Sequence, residues 1–432
     1  MTRLGLRERV LLAVGLVWIL TVCVAVALLR ATLASTAGKH NLHHASSASA
    51  RLLRESNHDV NTSDTAHMVA PPPRPAPKPL TSETVARLLE DVVGSERHRY
   101  SVKDNRGQEM DCMRVIFAPM EGDTRKVNRY LAVYHSRSRV TRQFEVHLAQ
   151  SFDLLRWEHL RRVAPNADMP VMRVDQTTGR VLVAYEQFLS STGQSPCAIG
   201  VREFESVHHL VSGSAEAKAQ FRIPNTIAKI EGTPSIHAWD PTARTVSLWF
   251  HYHNDTTRRD LVARGALTGF PGAAPLWTAE PHIEYNRDAT TAGVSGNVGG
   301  RHQLSLNASS DGRDGDGTRR STFVVLQEGN VQKPPLWPTD WTAWRVWLHR
   351  ESNDSALTPL HVQTHGGSTS VANPWASVLP CPDDTRSCAH EGSTTSVSIR
   401  TCLVVAYFVF GEGAARGEAG QLLFYTPVNT SS

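Results

Sequence analysis

Six side chains able to donate, accept or neutralise protons stand just ahead of short apolar runs in this chain: Asp111, Asp168, Glu231, Arg301 with His302, and His365. Carboxylates brought together can divide acid and base roles if their surroundings push their pKa values apart. A guanidinium and imidazoles beside them would hold the hydroxyls of a polar ligand. Residues so far apart in sequence need an architecture that makes them converge.

That architecture is legible in five phrases, YLAVYH, VLVAYE, SLWFHY, TFVVLQE and LVVAYFVF, centred on Tyr134, Tyr185, Phe250, Leu326 and Phe408. They recur roughly 50 to 80 positions apart, each after a strand and a turn, which is the spacing of sheet-sized repeats. The expected fold class is all-β, a five-bladed β-propeller. Two repeats superpose directly: Met169-Pro-Val-Met-Arg-Val-Asp with Val181–Glu186, and Thr233-Pro-Ser-Ile-His-Ala-Trp-Asp with Val246–His251. First strands are expected at Met113–Phe117, Val171–Val174, Ser235–Trp239, Gln303–Leu306 and from Ser368 or Asn373. The innermost strand of each blade lines the central channel, so polar residues just ahead of successive first strands are expected at one mouth. One helix is expected over Thr81–Val93, with Val85, Leu88, Leu89 and Val92 on one face.

Ahead of the repeats, Val10–Leu29 is an uncharged run of 20 residues flanked by Arg3, Arg7, Arg9 and Arg30. About 20 apolar residues cross a bilayer as a helix, and the three N-terminal arginines, Arg3, Arg7 and Arg9, mark the cytoplasmic side. The expectation is a signal anchor over residues 1–30, with a cleaved signal cut near Ala34 or Ala37 as the alternative. Residues 31–80, with Pro71-Pro-Pro-Arg-Pro-Ala-Pro-Lys-Pro79, have the composition of a disordered stem. The propeller is assigned residues 81–432. This layout suits a type II membrane protein of the Golgi or cell surface, or a secreted protein if the signal is removed. Acceptor triplets for N-glycosylation at Asn61, Asn254, Asn307, Asn353 and Asn429 agree with that side of the membrane. Of six cysteines, Cys381 and Cys388 have the spacing of a short disulfide loop, and no spacing resembles a zinc site. A net charge of +4 with interspersed signs leaves no footprint for nucleic acid.

The order Asp111, Asp168, Glu231 over the first three repeats resembles the five-bladed propeller glycosidases, the family 43 arabinofuranosidases and xylosidases. Ser151-Phe-Asp-Leu-Leu-Arg-Trp157 is similar to the S-x-D-L-x-x-W connector between their blades, and Glu231-Gly-Thr-Pro-Ser-Ile236 to their general-acid strand. The resemblance spans residues 100–425 in architecture, but only these short motifs carry it. It implies Asp111 as the base that activates water, Glu231 as the acid, and Asp168 as a carboxylate that orients the sugar and raises the acid's pKa. Single displacement of this kind needs the two groups about 6.5–9.5 Å apart, a separation that adjacent blades supply. Arg301, His302 and His365, read from their places ahead of the first strands, are expected around the substrate, and the resemblance implies that a channel histidine such as His365 could help hold a central ion or water. Where the family commonly has a proline after its first aspartate, this chain has Cys112.

Trp337, Trp341 and Trp344 suit either sugar stacking or packing between the fourth and fifth blades. Asp311-Gly-Arg-Asp-Gly-Asp-Gly317 reads as a hairpin loop that could take calcium or manganese; otherwise no metal or cofactor is expected. The functional expectation is therefore an inverting glycoside hydrolase acting on an oligosaccharide, polysaccharide or glycan. A non-catalytic glycan-binding propeller and a Golgi glycosyltransferase are the alternatives, the latter opposed by the lack of alternating strands and helices.

Overall fold

The computed structural model describes residues 80–118, 129–190, 196–213, 217–306, 322–332, 341–350, 356–382 and 400–428. The expected anchor, the stem up to residue 79, the acidic stretch Asp311–Gly317, Trp337, Cys388, Asn61, Asn307, Asn353 and Asn429 fall outside these residues. Among the described residues no helix is long and apolar enough to cross a membrane.

Five four-stranded antiparallel sheets follow one another along the chain, so the expected all-β, five-bladed propeller is observed. Strand β1 is Arg97–Arg99. Blade 1 holds β2 (Asp111–Ala118), β3 (Arg129–Arg137), β4 (Phe144–Ser151) and β5 (Glu158–Pro165). Blade 2 holds β6 (Ala167–Val174), β7 (Val181–Phe188), β8 (Cys197–Phe204) and β9 (Ala219–Arg222). Blade 3 holds β10 (Glu231–Asp240), β11 (Thr245–Asn254), β12 (Arg259–Thr268) and β13 (Leu276–Pro281). Blade 4 holds β14 (Val298–Leu306), β15 (Thr322–Asn330), β16 (Trp344–Arg350) and β17 (Thr358–Pro359). Blade 5 is drawn from both ends: β18 (Val371–Pro380), β19 (Thr401–Val409) and β20 (Gly420–Val428), with β1 added at its outer edge. Arg97, His98 and Arg99 pair with Tyr425, Phe424 and Leu423 and so close the ring.

All five aromatic phrases are second strands. Such a strand is flanked by sheet on both edges and by blades on both faces, so it reads as an uninterrupted apolar run. In β3 every residue from Tyr130 to Ser136 is buried. Strand β11 differs: Val246, Leu248, Phe250 and Tyr252 are buried while Ser247, Trp249 and His251 are half-buried, so one face of blade 3 is less fully covered.

Hydrophobic clusters fill the seams between blades. Leu304, Val324 and Leu326 meet Leu403 and Tyr407 between blades 4 and 5, and the helix α1 (Ser82–Glu90) adds Val85 and Leu89. The Thr81 side chain caps α1 by accepting the Thr84 N–H at 3.2 Å. Each fully buried aliphatic side chain contributes roughly 1.5–3 kcal/mol. Two helices without a readable period, α2 (Val207–Ser212) and α3 (Ile283–Thr291), lie in connections, and α3 wedges Tyr285 and Ala289 into the seam between blades 3 and 4.

Two sequence expectations are corrected. Cys381 bonds Cys402, not Cys388, tying the end of β18 to the neighbouring strand β19 across a Cα separation of 5.1 Å. Cys112 and Cys197 are free and buried. Ser151–Trp157 is no connector between blades but the turn from β4 to β5 within blade 1. There Asp153 Oδ1 accepts the N–H groups of Leu155 and Arg156 at 2.9 and 2.7 Å, and buried Trp157 closes the turn.

Candidate functional site

The first strands of blades 1 to 4 begin earlier than expected, that of blade 5 begins between the two expected starts, and each carries a bulge near its start. Register shifts fall between Asp111 and Arg114, Asp168 and Val171, Gly232 and Ser235, Val298 and Arg301, and Ala372 and Trp375. A bulge kinks the strand and re-aims the side chains around it. In four blades the residue after the first bulge position has positive φ although it is not glycine: Cys112 (53°), Met169 (45°), Thr233 (47°) and Asn373 (50°). Such backbone costs on the order of 1–3 kcal/mol at each position and persists where the surroundings over-determine it. In blade 4 this place is Gly299, where a Cβ would collide with Glu328 Oε1.

These bulges surround a cavity of about 360 Å³ to which all five blades contribute. Blade 1 gives Asp111, Cys112, His135 and Phe144, blade 2 gives Asp168 and Met169, and blade 3 gives Thr233, His251 and Asp260. Asn297, Gly299, Glu328, Trp341 and Trp344 come from the fourth repeat, and Ala372, Asn373, Phe408 and Phe410 from the fifth. The cavity has a polar side and an aromatic side. Trp341 and Trp344 are stacked with centroids 6.5 Å apart, and Phe410 lies 4.9 Å from Trp341. Trp341 is 39% exposed, so its ring is available to a ligand.

Of the residues expected at the mouth, Asp111 and Asp168 meet there. Glu231, Arg301, His302 and His365 are not among the lining residues. Register gives the reason. Asp111 pairs with His135, Asp168 with Glu186 and Gly232 with His251, so Gly232, not Glu231, occupies the equivalent place in blade 3. A one-residue offset turns a side chain to the opposite face of a strand. Glu231 is 1% exposed, and its Oε1 accepts the N–H groups of Thr226, Ile227 and Ala228 at 2.8, 2.6 and 3.0 Å. It pins that loop.

Arg301 lies three residues further on, past its bulge, and its guanidinium covers the Trp249 ring at 3.4 Å. The His302 imidazole is bonded to the Ala376 carbonyl at 2.7 Å, and burial followed by the nearby Arg114 charge lowers its pKa to about 3. His365 belongs to the turn before β18, 4.1 Å from the His98 ring and 3.0 Å from the Tyr100 hydroxyl. Asn254 sits in the β11–β12 turn, where its Oδ1 accepts the Thr257 N–H at 2.9 Å.

Electrostatics distinguish the carboxyls that remain. Burial raises the pKa of Asp111 to about 7, with Glu109 adding like charge and Lys103 opposing it. Asp168 is raised well above the ordinary range by burial and then by the charge of Glu186. Neither Asp111 Oδ1 nor Asp168 Oδ1 has a hydrogen-bond partner among the described residues, and Asn373 Oδ1 and His251 Nδ1 are likewise buried and unmet. Glu328 also has a raised pKa, chiefly through burial, but both its oxygens are engaged, one by the Gly300 N–H and the other by the Asn373 N–H. Asp260 accepts or shares a proton with His253 Nδ1 at 2.9 Å. His251 and Asp260 are cavity residues that sequence reasoning missed. The superposition of Met169-Pro on Thr233-Pro carried the signal, because it already sets Asp168 over Gly232 and moves attention from Glu231 to the facing strand.

No protein-family model matches this chain, and no curated protein does. Among solved structures the chain is similar to BT0996 in a complex with RGII, at 12% identity and TM-score 0.45, covering 82% of this chain and 97% of that one. It is similar to the α-L-arabinanase of Cellvibrio cellulosa with arabinohexaose, at 12% identity and TM-score 0.41, covering 75% and 94%. A family 43 β-1,3-galactosidase with galactodeoxynojirimycin aligns at 11% identity and TM-score 0.41, covering 78% and 95%.

Proposed function

We propose that this protein is a glycoside hydrolase that cleaves by single displacement, with Asp168 as general acid and Asp111 as general base. One observation carries the reading: buried, incompletely hydrogen-bonded carboxyls from neighbouring first strands line the same cavity as an exposed aromatic wall. A sugar presents both matching surfaces, hydroxyls along its edges and C–H groups on its ring faces. Leaving a buried polar group unmet costs about 1–3 kcal/mol, which a polyhydroxylated ligand would recover.

In this reading Asp168 is the proton donor, because burial and then the charge of Glu186 favour its protonated form. It gives its proton to the leaving oxygen as the anomeric C–O bond breaks. Asp111, ionised above a pKa of about 7, takes a proton from the water that forms the new C–O bond. Glu231, engaged by three amides, serves the fold of its loop. The buried Cys381–Cys402 disulfide supports the proposed luminal or extracellular location, reached through an N-terminal anchor or signal.

The test is turnover on 4-nitrophenyl pentosides and hexosides of both anomeric forms and on linear arabino-, xylo- and galacto-oligosaccharides. Hydrolysis of at least one by the wild type is expected, with kcat/KM rising through pH about 7 as Asp111 ionises. Loss of about 10²-fold or more in Asp168→Asn and Asp111→Asn is expected, as for removal of a general acid or base. Undiminished turnover in either variant removes that residue's role. Saturable binding without turnover of any probe would favour the glycan-binding propeller.

A further inference from the structure

At four of the five seams a side chain reaches across to the bulge of the next blade. His135 Nδ1 of blade 1 accepts the Met169 N–H at 3.1 Å, and Glu186 Oε2 of blade 2 accepts the Thr233 N–H at 2.9 Å. Glu328 of blade 4 takes the Asn373 N–H, and Gln421 Oε1 of blade 5 takes the Met113 N–H at 3.2 Å. His135 and Glu186 hold the same register position, opposite the first bulge residue; in blade 3 that position is His251.

His251 makes no such bond. The Gly300 N–H in the blade 4 bulge is taken by Glu328 of its own blade, and His251 Nδ1 has no hydrogen-bond partner among the described residues. Yet His251 lines the cavity beside Glu328. A buried imidazole nitrogen without a partner is costly, and on the cavity wall a ligand hydroxyl would satisfy it.

We infer that His251 is a substrate-binding residue: its imidazole, freed from the seam-bridging task of its counterparts, hydrogen-bonds a ligand hydroxyl on the blade 3–blade 4 side of the cavity. A hydroxyl both donates and accepts, so it suits either tautomer. The inference rests on the glycosidase reading and adds a binding role to it.

The experiment compares His251→Ala with His135→Ala in the full chain, by thermal melting and by kinetics on whichever 4-nitrophenyl glycoside the wild type hydrolyses. The His251 variant is expected to melt close to the wild type while KM rises about tenfold and kcat changes less, one hydrogen bond's worth of affinity. His135→Ala, which strands the Met169 N–H, is expected to melt lower. His251→Gln, which keeps a hydrogen-bonding side chain, should recover part of the KM. Unchanged KM in His251→Ala, or a melting loss equal to that of His135→Ala, overturns the inference while leaving the glycosidase reading intact. If the wild type neither binds nor hydrolyses any probe, both fall together.

Discussion

The mouth of the propeller and its opposite end treat buried acids in contrary ways. First strands start at the mouth, so the β6–β7 and β10–β11 turns lie at the far end, roughly 25 Å away for strands of about eight residues. There a second pocket of about 380 Å³ is lined by Arg180, Lys218 and Arg244. Glu203 beside it is buried and its pKa is raised by that burial, but it sits 3.5 Å from Arg180, and the charges of Arg180, Lys218 and Arg244 oppose the rise. Asp175 and Asp240 at that end are consumed by turn amides, the Thr178 N–H at 3.0 Å and the Thr242 and Ala243 N–H groups at 2.8 Å. Near the mouth the buried guanidinium of Arg114 donates to the carbonyls of Met113 and Asn373, at 3.2 and 3.1 Å. Burial alone therefore does not mark a working carboxyl. Burial on the cavity wall without an ion pair does.

The comparison breaks most readily in kinetics. Glu203→Gln should leave kcat/KM within about twofold of wild type, whereas Asp168→Asn should lose at least about 10²-fold. An equal loss in both would mean that the far end governs the site indirectly. The next largest effect is a stability difference that depends on pH. Asp111 has a folded pKa of about 7 against an ordinary 3.8, so the folded state holds a proton that the unfolded chain has released. Its stability is intact below pH 4 and declines as pH rises to 7. Asp111→Asn should therefore match the wild type in urea unfolding near pH 3 and exceed it at pH 8 by up to about 4 kcal/mol. Equal stability at both values would show Asp111 to be compensated after all. The smallest effect concerns the aromatic wall: Trp341→Ala should raise KM about tenfold with little change in kcat, consistent with a stacking contact of about 1 kcal/mol or slightly more.

The contrast also explains what can be read from the chain alone. Second strands such as Tyr130–Ser136 announce themselves because packing on both faces demands continuous apolar sequence. Thr81–Val93 announces α1 because one face alone is buried. The mouth is harder, since the bulges insert a residue whose presence no periodicity records. Asp111 and Asp168 precede regular runs and line the cavity, whereas Glu231 is displaced by one position and turns away. Asp260 and His251 come from third and second strands, where a polar residue at a strand end looks like any solvated edge. Trp341 and Trp344 cannot be divided between core and cavity without knowing which loop returns to the mouth.

The clasp that closes the ring has a mechanical consequence. Blade 5 is completed by three residues, Arg97–Arg99, laid along β20. Any pull applied through the chain on the N-terminal side of residue 80 reaches the propeller through α1 and this short strand before it reaches another blade. The load would peel α1 and then three residue pairs, while the disulfide between Cys381 and Cys402 holds the inner hairpin of the same blade fast. The molecule thus has a built-in order of mechanical failure, its outer edge yielding before the wall of the cavity.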